Sequence, residues 1–176
     1  GETVWVQVSV MLPGFQVAPY VKECLEGLLA RCGGDVEVLC VNDGSTDGTG
    51  ALLDAFAGQD ARVRVWHTEN RGVYAARNLA LSYAKGDYVA FVDMDARLPE
   101  GAFSKLTAAA NGADIVVGDF YRVDGEGREH RVRLPATVTR EDALHSILSG
   151  EGSYNAPWAK LYRHDFLWEH ALAFSQ

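Results

Sequence analysis

An α/β fold, with a mostly parallel central sheet and helices on both faces, is predicted by three features of this 176-residue sequence. Short, nearly all-apolar runs recur along its first half, each with the character of a strand buried on both faces. Amphipathic stretches of helical period separate them, so the order reads β-α-β-α-β-α-β. Two of the runs empty into carboxylates, at Asp43 and at Asp93 with Asp95. Strand ends of this kind are where open α/β sheets bind ligands.

Val4 to Leu12 alternates and then becomes continuously apolar before Pro13-Gly14, a first strand with a loop after it. The loop lacks Gly-x-Gly-x-x-Gly, so a dinucleotide on the next helix loses its main support, and no P-loop motif occurs anywhere. Pro19 to Arg31 sets Val21, Leu25, Leu28 and Leu29 on one helical face, with Pro at its start and Gly33-Gly34 as its stop. Val36 to Val41 is the second strand. It runs into Asn42-Asp43-Gly44-Ser45-Thr46-Asp47-Gly48-Thr49, a polar loop of small residues able to wrap a ligand, and then a helix through Leu52, Leu53 and Phe56. Asp47 or Thr49 is expected to cap that helix, which leaves Asp43 unaccounted for by capping. Val63 to Trp66 is a short third strand, and Val73 to Ala84 a helix ended by Gly86. Tyr88 to Asp95 is the fourth strand and its acidic exit.

Farther on, Pro99 to Ala110 reads as a helix, Ile115 to Tyr121 as a strand, and Asp124 to Gly127 as a turn into a polar return strand, Glu129 to Leu134. Thr139 caps a helix through Ile147 and Leu148, with Glu141 and Asp142 in its first turn. Gly150 to Pro157 is a loop, and Trp158 to Arg163 leads into a last helix at Asp165 to Ala171. There are no repeats, linkers or low-complexity segments, so residues 1–176 form one domain.

Composition narrows the function. Hydrophobic residues at 48% and charged residues at 23% are ordinary for a globular protein. A net charge of −8 with no basic patch argues against nucleic acid as a partner, but not against a small phosphate-bearing ligand reached through a metal. Cys24, Cys32 and Cys40 are odd in number, with no Cys-x-x-Cys and no His at ligand spacing, which predicts a reducing, cytoplasmic compartment rather than a disulfide or zinc framework. No apolar run approaches the ~20 residues that span a bilayer. The five histidines are scattered and expected at the surface or in caps; Trp5 and Trp66 are expected in the core, and Tyr83 and Tyr88 in packing.

Asp93 and Asp95 are the chemical centre of this reading. On a regular strand i and i+2 share one face, so the turn out of the strand decides how the two side chains converge. At a strand end both can reach one divalent cation or its water shell, and Mg²⁺ and Mn²⁺ take carboxylates together with substrate phosphates. An Asp-x-Asp alone is no more than an acidic turn; its company decides. Arg77, among the small residues of Ala75-Ala76-Arg77-Asn78, lies on a helix able to pack closely and aim a guanidinium at a ligand.

Taken together, these stretches resemble the family 2 glycosyltransferases, inverting enzymes of the GT-A fold with a Rossmann-like sheet. Ser9 to Phe15 resembles the family's first strand, Val41 to Thr49 its nucleotide loop, and Asn70-Arg71-Gly72, Ala75 to Asn78 and Gly86 to Asp95 follow in family order. Trp158-Ala159-Lys160-Leu161-Tyr162-Arg163 resembles a signature of the bacterial subgroup that builds capsule, teichoic acid and other surface polysaccharides.

The resemblance implies transfer of a hexosyl or N-acetylhexosaminyl group from a nucleotide-sugar, a UDP-sugar, to a hydroxyl of a glycan, lipid-linked or polyol acceptor. It implies that Pro13 and Phe15 line the base and ribose pocket, that Asp43 accepts a hydrogen bond from uracil, and that Ser45 belongs to the same nucleotide site. Arg77 would approach the diphosphate or the sugar. Asp95 would hold Mn²⁺ or Mg²⁺, and Asp93 would touch the ribose or a metal-bound water; these two are the catalytic pair. Departures from the family pattern are Phe15-Gln16 where Tyr-Asn is usual, Asn42 where Asp is frequent, and Ala96 in place of a further acid. The general base an inverting transferase needs is expected beyond Gln176, since Glu141-Asp142 lies too early. A truncated domain is therefore expected, with membrane association left to segments outside it. The alternative is a module that binds a nucleotide-sugar without transferring it. A nucleotidyltransferase is disfavoured, because Leu12 to Gln16 carries no charge to grip a triphosphate.

Overall fold

The apolar runs form the parallel half of a sheet. β1 (Val8–Gly14), β2 (Val36–Asp43), β3 (Val63–Thr68) and β4 (Tyr88–Phe91) alternate with α1 (Ala18–Arg31), α2 (Thr49–Gln59) and α3 (Val73–Tyr83). The computed structural model describes residues 8–92, 94, 115–117, 120–123, 129–132 and 160–163. Within them β5 (Ile115–Val117) and β8 (Lys160–Arg163) complete a six-stranded sheet of order β3-β2-β1-β4-β8-β5, and β6 (Phe120–Val123) pairs with β7 (Glu129–Val132) in a separate antiparallel ribbon.

β1 is central, parallel to β2 with Val8 opposite Val36 and Gly14 opposite Asn42, and parallel to β4 with Met11 opposite Phe91. Its alternating side chains divide the core. Val8, Val10 and Leu12 meet Val21, Leu25 and Leu28 of α1 and Leu53 of α2 on one face; Met11, with Leu39, Val41 and Val89, meets Ala76, Ala80 and Leu81 of α3 on the other. Strands covered on both faces are why the runs read as continuously apolar. The expected α/β, GT-A-like layering is what forms.

The amino ends of the strands are closed by a buried polar cluster. Ser9 Oγ donates to Glu37 Oε1 at 2.7 Å, Lys85 N–H donates to the same oxygen at 2.7 Å, and Gly86 N–H donates to Ser9 Oγ at 2.8 Å. A Cβ on Gly86 would lie 2.6 Å from the Ser9 nitrogen, so only glycine fits this entry to β4. Nearby, half-buried Trp66 packs against the α3-side core, as expected, and stacks on Tyr83 at 4.7 Å with the Arg64 guanidinium over the indole.

Several boundaries differ from expectation. β2 continues through Asn42 and Asp43, because β3 runs on to Thr68 and pairs with them. The single strand expected at Ile115 to Tyr121 is two short strands in different sheets. Lys160 to Arg163, read only as a lead into a helix, is β8, antiparallel between β4 and β5. The helices expected at 99–110, 139–148 and 165–171, the turn at 124–127, Trp5 and Trp158 lie outside the described residues. Among the described residues no helix is long and apolar enough to cross a membrane.

Candidate functional site

The site is built where β1, β2 and β4 end. After Gly14 the chain turns through Gln16, a non-glycine residue at φ +53°, in the left-handed region. That turn sets Gln16 against the loop after β2. Its N–H donates to Ser45 Oγ at 3.0 Å and its Nε2 to Thr46 Oγ1 at 2.9 Å. Its Oε1 accepts the N–H of Thr46 at 2.8 Å and of Asp47 at 3.2 Å. One side chain thus stitches two loops together, and Phe15 beside it is left 48% exposed.

Asp47 extends the stitching. Its Oδ2 accepts the N–H of Ala18, the first residue of α1, at 3.1 Å. Its Oδ1 accepts the N–H of Thr49, the first residue of α2, at 3.1 Å and the Thr49 hydroxyl at 2.6 Å. One carboxylate therefore serves two helix N-termini, where negative charge is favoured. The Thr49 hydroxyl bond, followed by these backbone bonds, holds the Asp47 carboxyl below its ordinary value. The N-cap position of α2 itself is Gly48, in the left-handed region, so capping comes from Asp47 one residue earlier, and Thr49 caps nothing. Thr49 Oγ1 instead accepts the Val17 N–H at 3.1 Å, at the N-cap of α1.

Asp43, 4% exposed at the last position of β2, ties this loop to the start of α3. Its Oδ1 accepts the Arg71 N–H at 2.8 Å and its Oδ2 the Gly72 N–H at 2.9 Å. Gly44 makes that approach feasible: at φ +76°, it would put a Cβ 2.6 Å from the Asn70 nitrogen. Asn42 precedes it, with Oδ1 accepting the Ser45 N–H at 3.1 Å and Nδ2 3.1 Å from His67 Nδ1. Arg77 lies in the second turn of α3 and is 8% exposed. Asp93 and Asp95 lie outside the described residues, but their neighbours are placed. Val92 N–H donates to the Met11 carbonyl at 3.0 Å, and the thioether of buried Met94 lies 3.2–3.3 Å from where a Gly14 Cβ would be.

Pro13, Phe15 and Ser45 are thus gathered at one edge with Asp43, and Arg77 sits on the helix whose lead-in, Arg71-Gly72, Asp43 holds. His67 lies at the surface as expected, and is in addition hydrogen-bonded at both ring nitrogens. Asp47, expected as a cap of α2, also holds the first residue of α1. Gln16 and His67 are the organising residues that sequence reasoning missed, and only Gln16 left a trace there, as a departure from the usual Tyr-Asn.

For a divalent cation, no group of three or more His, Cys, Asp or Glu side chains occurs among the described residues. The carboxylates of Asp93 and Asp95 are hard oxygen donors of the type Mg²⁺ and Mn²⁺ take, so the donor chemistry fits such an ion. Cys32 and Cys40 do not fit catalysis: burial pushes the Cys32 thiol up to about 11 and the Cys40 thiol higher still.

Residues 9–171 match the family model described as glycosyl transferase family 2. The chain is 38% identical over 125 residues to EpsJ, an uncharacterized glycosyltransferase of Bacillus subtilis (strain 168), covering 70% of this chain and 36% of EpsJ. Residues 1–349 of S. aureus TarS share its fold with a TM-score of 0.75 at 24% identity, over 97% of this chain and 50% of that one. TarS has been solved with UDP and with UDP-GlcNAc. The mannosyltransferase PcManGT of Pyrobaculum calidifontis, solved with GDP-Man and Mn²⁺, gives a TM-score of 0.56 at 28% identity, over 66% of this chain and 35% of that one. The chain spans half or less of the length of these relatives.

Proposed function

This chain belongs to glycosyl transferase family 2, and on that premise we propose that it is the donor-binding part of an enzyme moving a hexose or N-acetylhexosamine from a UDP-sugar to an acceptor hydroxyl. Inversion at the sugar, a glycan, lipid-linked or polyol acceptor, and a role in bacterial surface polysaccharide synthesis at the cytoplasmic side of the membrane complete the reading. The observation that carries it is the cross-stitched pair of loops at the carboxyl edge of a β3-β2-β1-β4 parallel sheet, the place where such sheets take nucleotides. The UDP, UDP-GlcNAc and GDP-Man bound by TarS and PcManGT agree with it.

Each residue has a physical task. Pro13 and exposed Phe15 offer apolar surface to the base and ribose. Asp43 is already oriented by two backbone N–H groups, and its remaining lone pairs accept the uracil N–H. Arg77 brings a positive charge to the diphosphate or sugar. Asp95 would hold the cation and Asp93 the ribose or a bound water. A divalent ion, when bound, supplies positive charge to the diphosphate as it leaves.

Calorimetric titration with UDP, with and without Mn²⁺, on the wild type, Asp43→Ala and Asp95→Ala tests this. Binding strengthened by Mn²⁺ is expected, with the Mn²⁺ effect lost in Asp95→Ala and binding weakened in both conditions in Asp43→Ala. No UDP binding by a folded wild type with Mn²⁺ present would overturn the donor assignment, and binding indifferent to Mn²⁺ would overturn the role of Asp95. Adding UDP-GlcNAc and UDP-glucose to the series sorts the sugar.

A further inference from the structure

We infer that His67 is a positioning residue for the donor loop, acting through Asn42, and that Gly50 is glycine so that this arrangement can close. The inference rests on the donor reading of the loop from Asn42 to Thr49, and adds to it a residue that touches no ligand.

The direction of the relay follows from what each atom can do. The Ser45 N–H can only donate, so the Asn42 side-chain atom facing it at 3.1 Å is the oxygen. The Asn42 amide nitrogen then faces His67 Nδ1 at 3.1 Å and donates to it, which requires Nδ1 to carry no proton. The ring proton therefore sits on Nε2, where it donates to Asp54 Oδ1 at 2.8 Å. Asp54 on α2, His67 on β3, Asn42 on β2 and the Ser45 amide form one continuous chain. Its outer end is open to solvent, with Asp54 59% and His67 45% exposed at the side chain, while Asn42 is buried. A bond at the open end is weakened by competing water, so the contact that governs the loop is the inner one, between His67 and Asn42.

Gly50 supplies the independent observation. A Cβ there would lie 2.8 Å from Asn42 Nδ2 and 3.3 Å from both His67 Nδ1 and Cε1. Glycine inside a helix is otherwise a liability. At the second position of α2 it lets the helix close onto the Asn42–His67 contact.

The consequence falls on Ser45. Its amide is held by Asn42 and its hydroxyl by the Gln16 N–H, so the loop is pinned from β3 on one side and from β1 on the other. Release of the Asn42 tether frees the turn between Asp43 and Ser45, the two residues of this loop assigned to the nucleotide.

The test compares His67→Ala, His67→Asn and Gly50→Ala with wild type by amide hydrogen exchange at Ser45, UDP affinity, and thermal midpoint. The asparagine oxygen stands close to where imidazole Nδ1 lies, so His67→Asn keeps an acceptor for Asn42 and loses only Asp54. His67→Ala is expected to speed Ser45 exchange and weaken UDP about three- to tenfold, with His67→Asn restoring most of both. Gly50→Ala should match His67→Ala if it folds. Unchanged Ser45 exchange in His67→Ala, unchanged affinity, or no recovery in His67→Asn overturns the inference; a lowered midpoint alone marks a merely structural histidine. Wild type that binds no UDP overturns the donor reading itself, and Ser45 exchange still decides whether the relay sets the turn.

Discussion

Gln16 holds a backbone conformation that ordinary side chains avoid, at a strain cost of about 1 kcal/mol or more, offset by the bonds its amide makes to Thr46 and Asp47. Gln16→Ala keeps the strain and loses the bonds, so urea denaturation should show a loss of about 1–2 kcal/mol. Gln16→Gly loses the same bonds but relaxes the strain, and should be less damaging than alanine, the reverse of the usual order. Asp47 makes a pH prediction. Its carboxyl is lowered from 3.8 by the Thr49 hydroxyl first and by backbone N–H groups of Ala18 and Thr49. A lowered folded value means the stabilisation is present above about pH 4 and lost as pH falls through that lowered value. The thermal midpoint of wild type should therefore exceed that of Asp47→Asn from neutral pH down to about 4, and the gap should close in stronger acid. At this scale the sequence was partly legible. Asp43 stood out because nothing local explained it, and it proved buried and backbone-bound. His67 and Gln16 did not stand out, because their partners come from other strands and loops, a relation no local period records.

Between residue and fold, the helices are held by polar ends as much as by apolar faces. Arg62, just before β3, donates to the Leu29 carbonyl at 3.1 Å and the Cys32 carbonyl at 2.7 Å, and pairs with Asp60 at 2.7 Å. It closes the C-terminus of α1, where cationic donors are favoured. Arg62→Met should cost about 1–2 kcal/mol, since the site is partly exposed, and should speed amide exchange in the last turn of α1 more than elsewhere. Leu25→Ala, on the buried face of the same helix, should cost about 2–5 kcal/mol in denaturant unfolding. The first seven elements were readable because each carries its own period and its own stop. β8 was not, since four residues are too few to show a period and its pairing lies with β4 and β5, distant in sequence. The division of Ile115 to Val123 between two sheets was hidden for the same reason.

Across the molecule, β1 has neighbours on both edges and helices on both faces, so its amides and those of β2 should be the slowest to exchange in the chain, measurable by mass spectrometry or NMR. The carboxyl edge of that rigid centre carries the loops. Gln16, Asp47, Asn42 and His67 fasten those loops to one another and to the strands, whereas Phe15 and Val73, at 48% and 42% exposure, are fastened to little. Loop fastening and outward exposure thus fall largely on different side chains. In evolutionary terms the outward positions are free to drift: a lineage can exchange them without unfolding the platform on which the next variant will be selected.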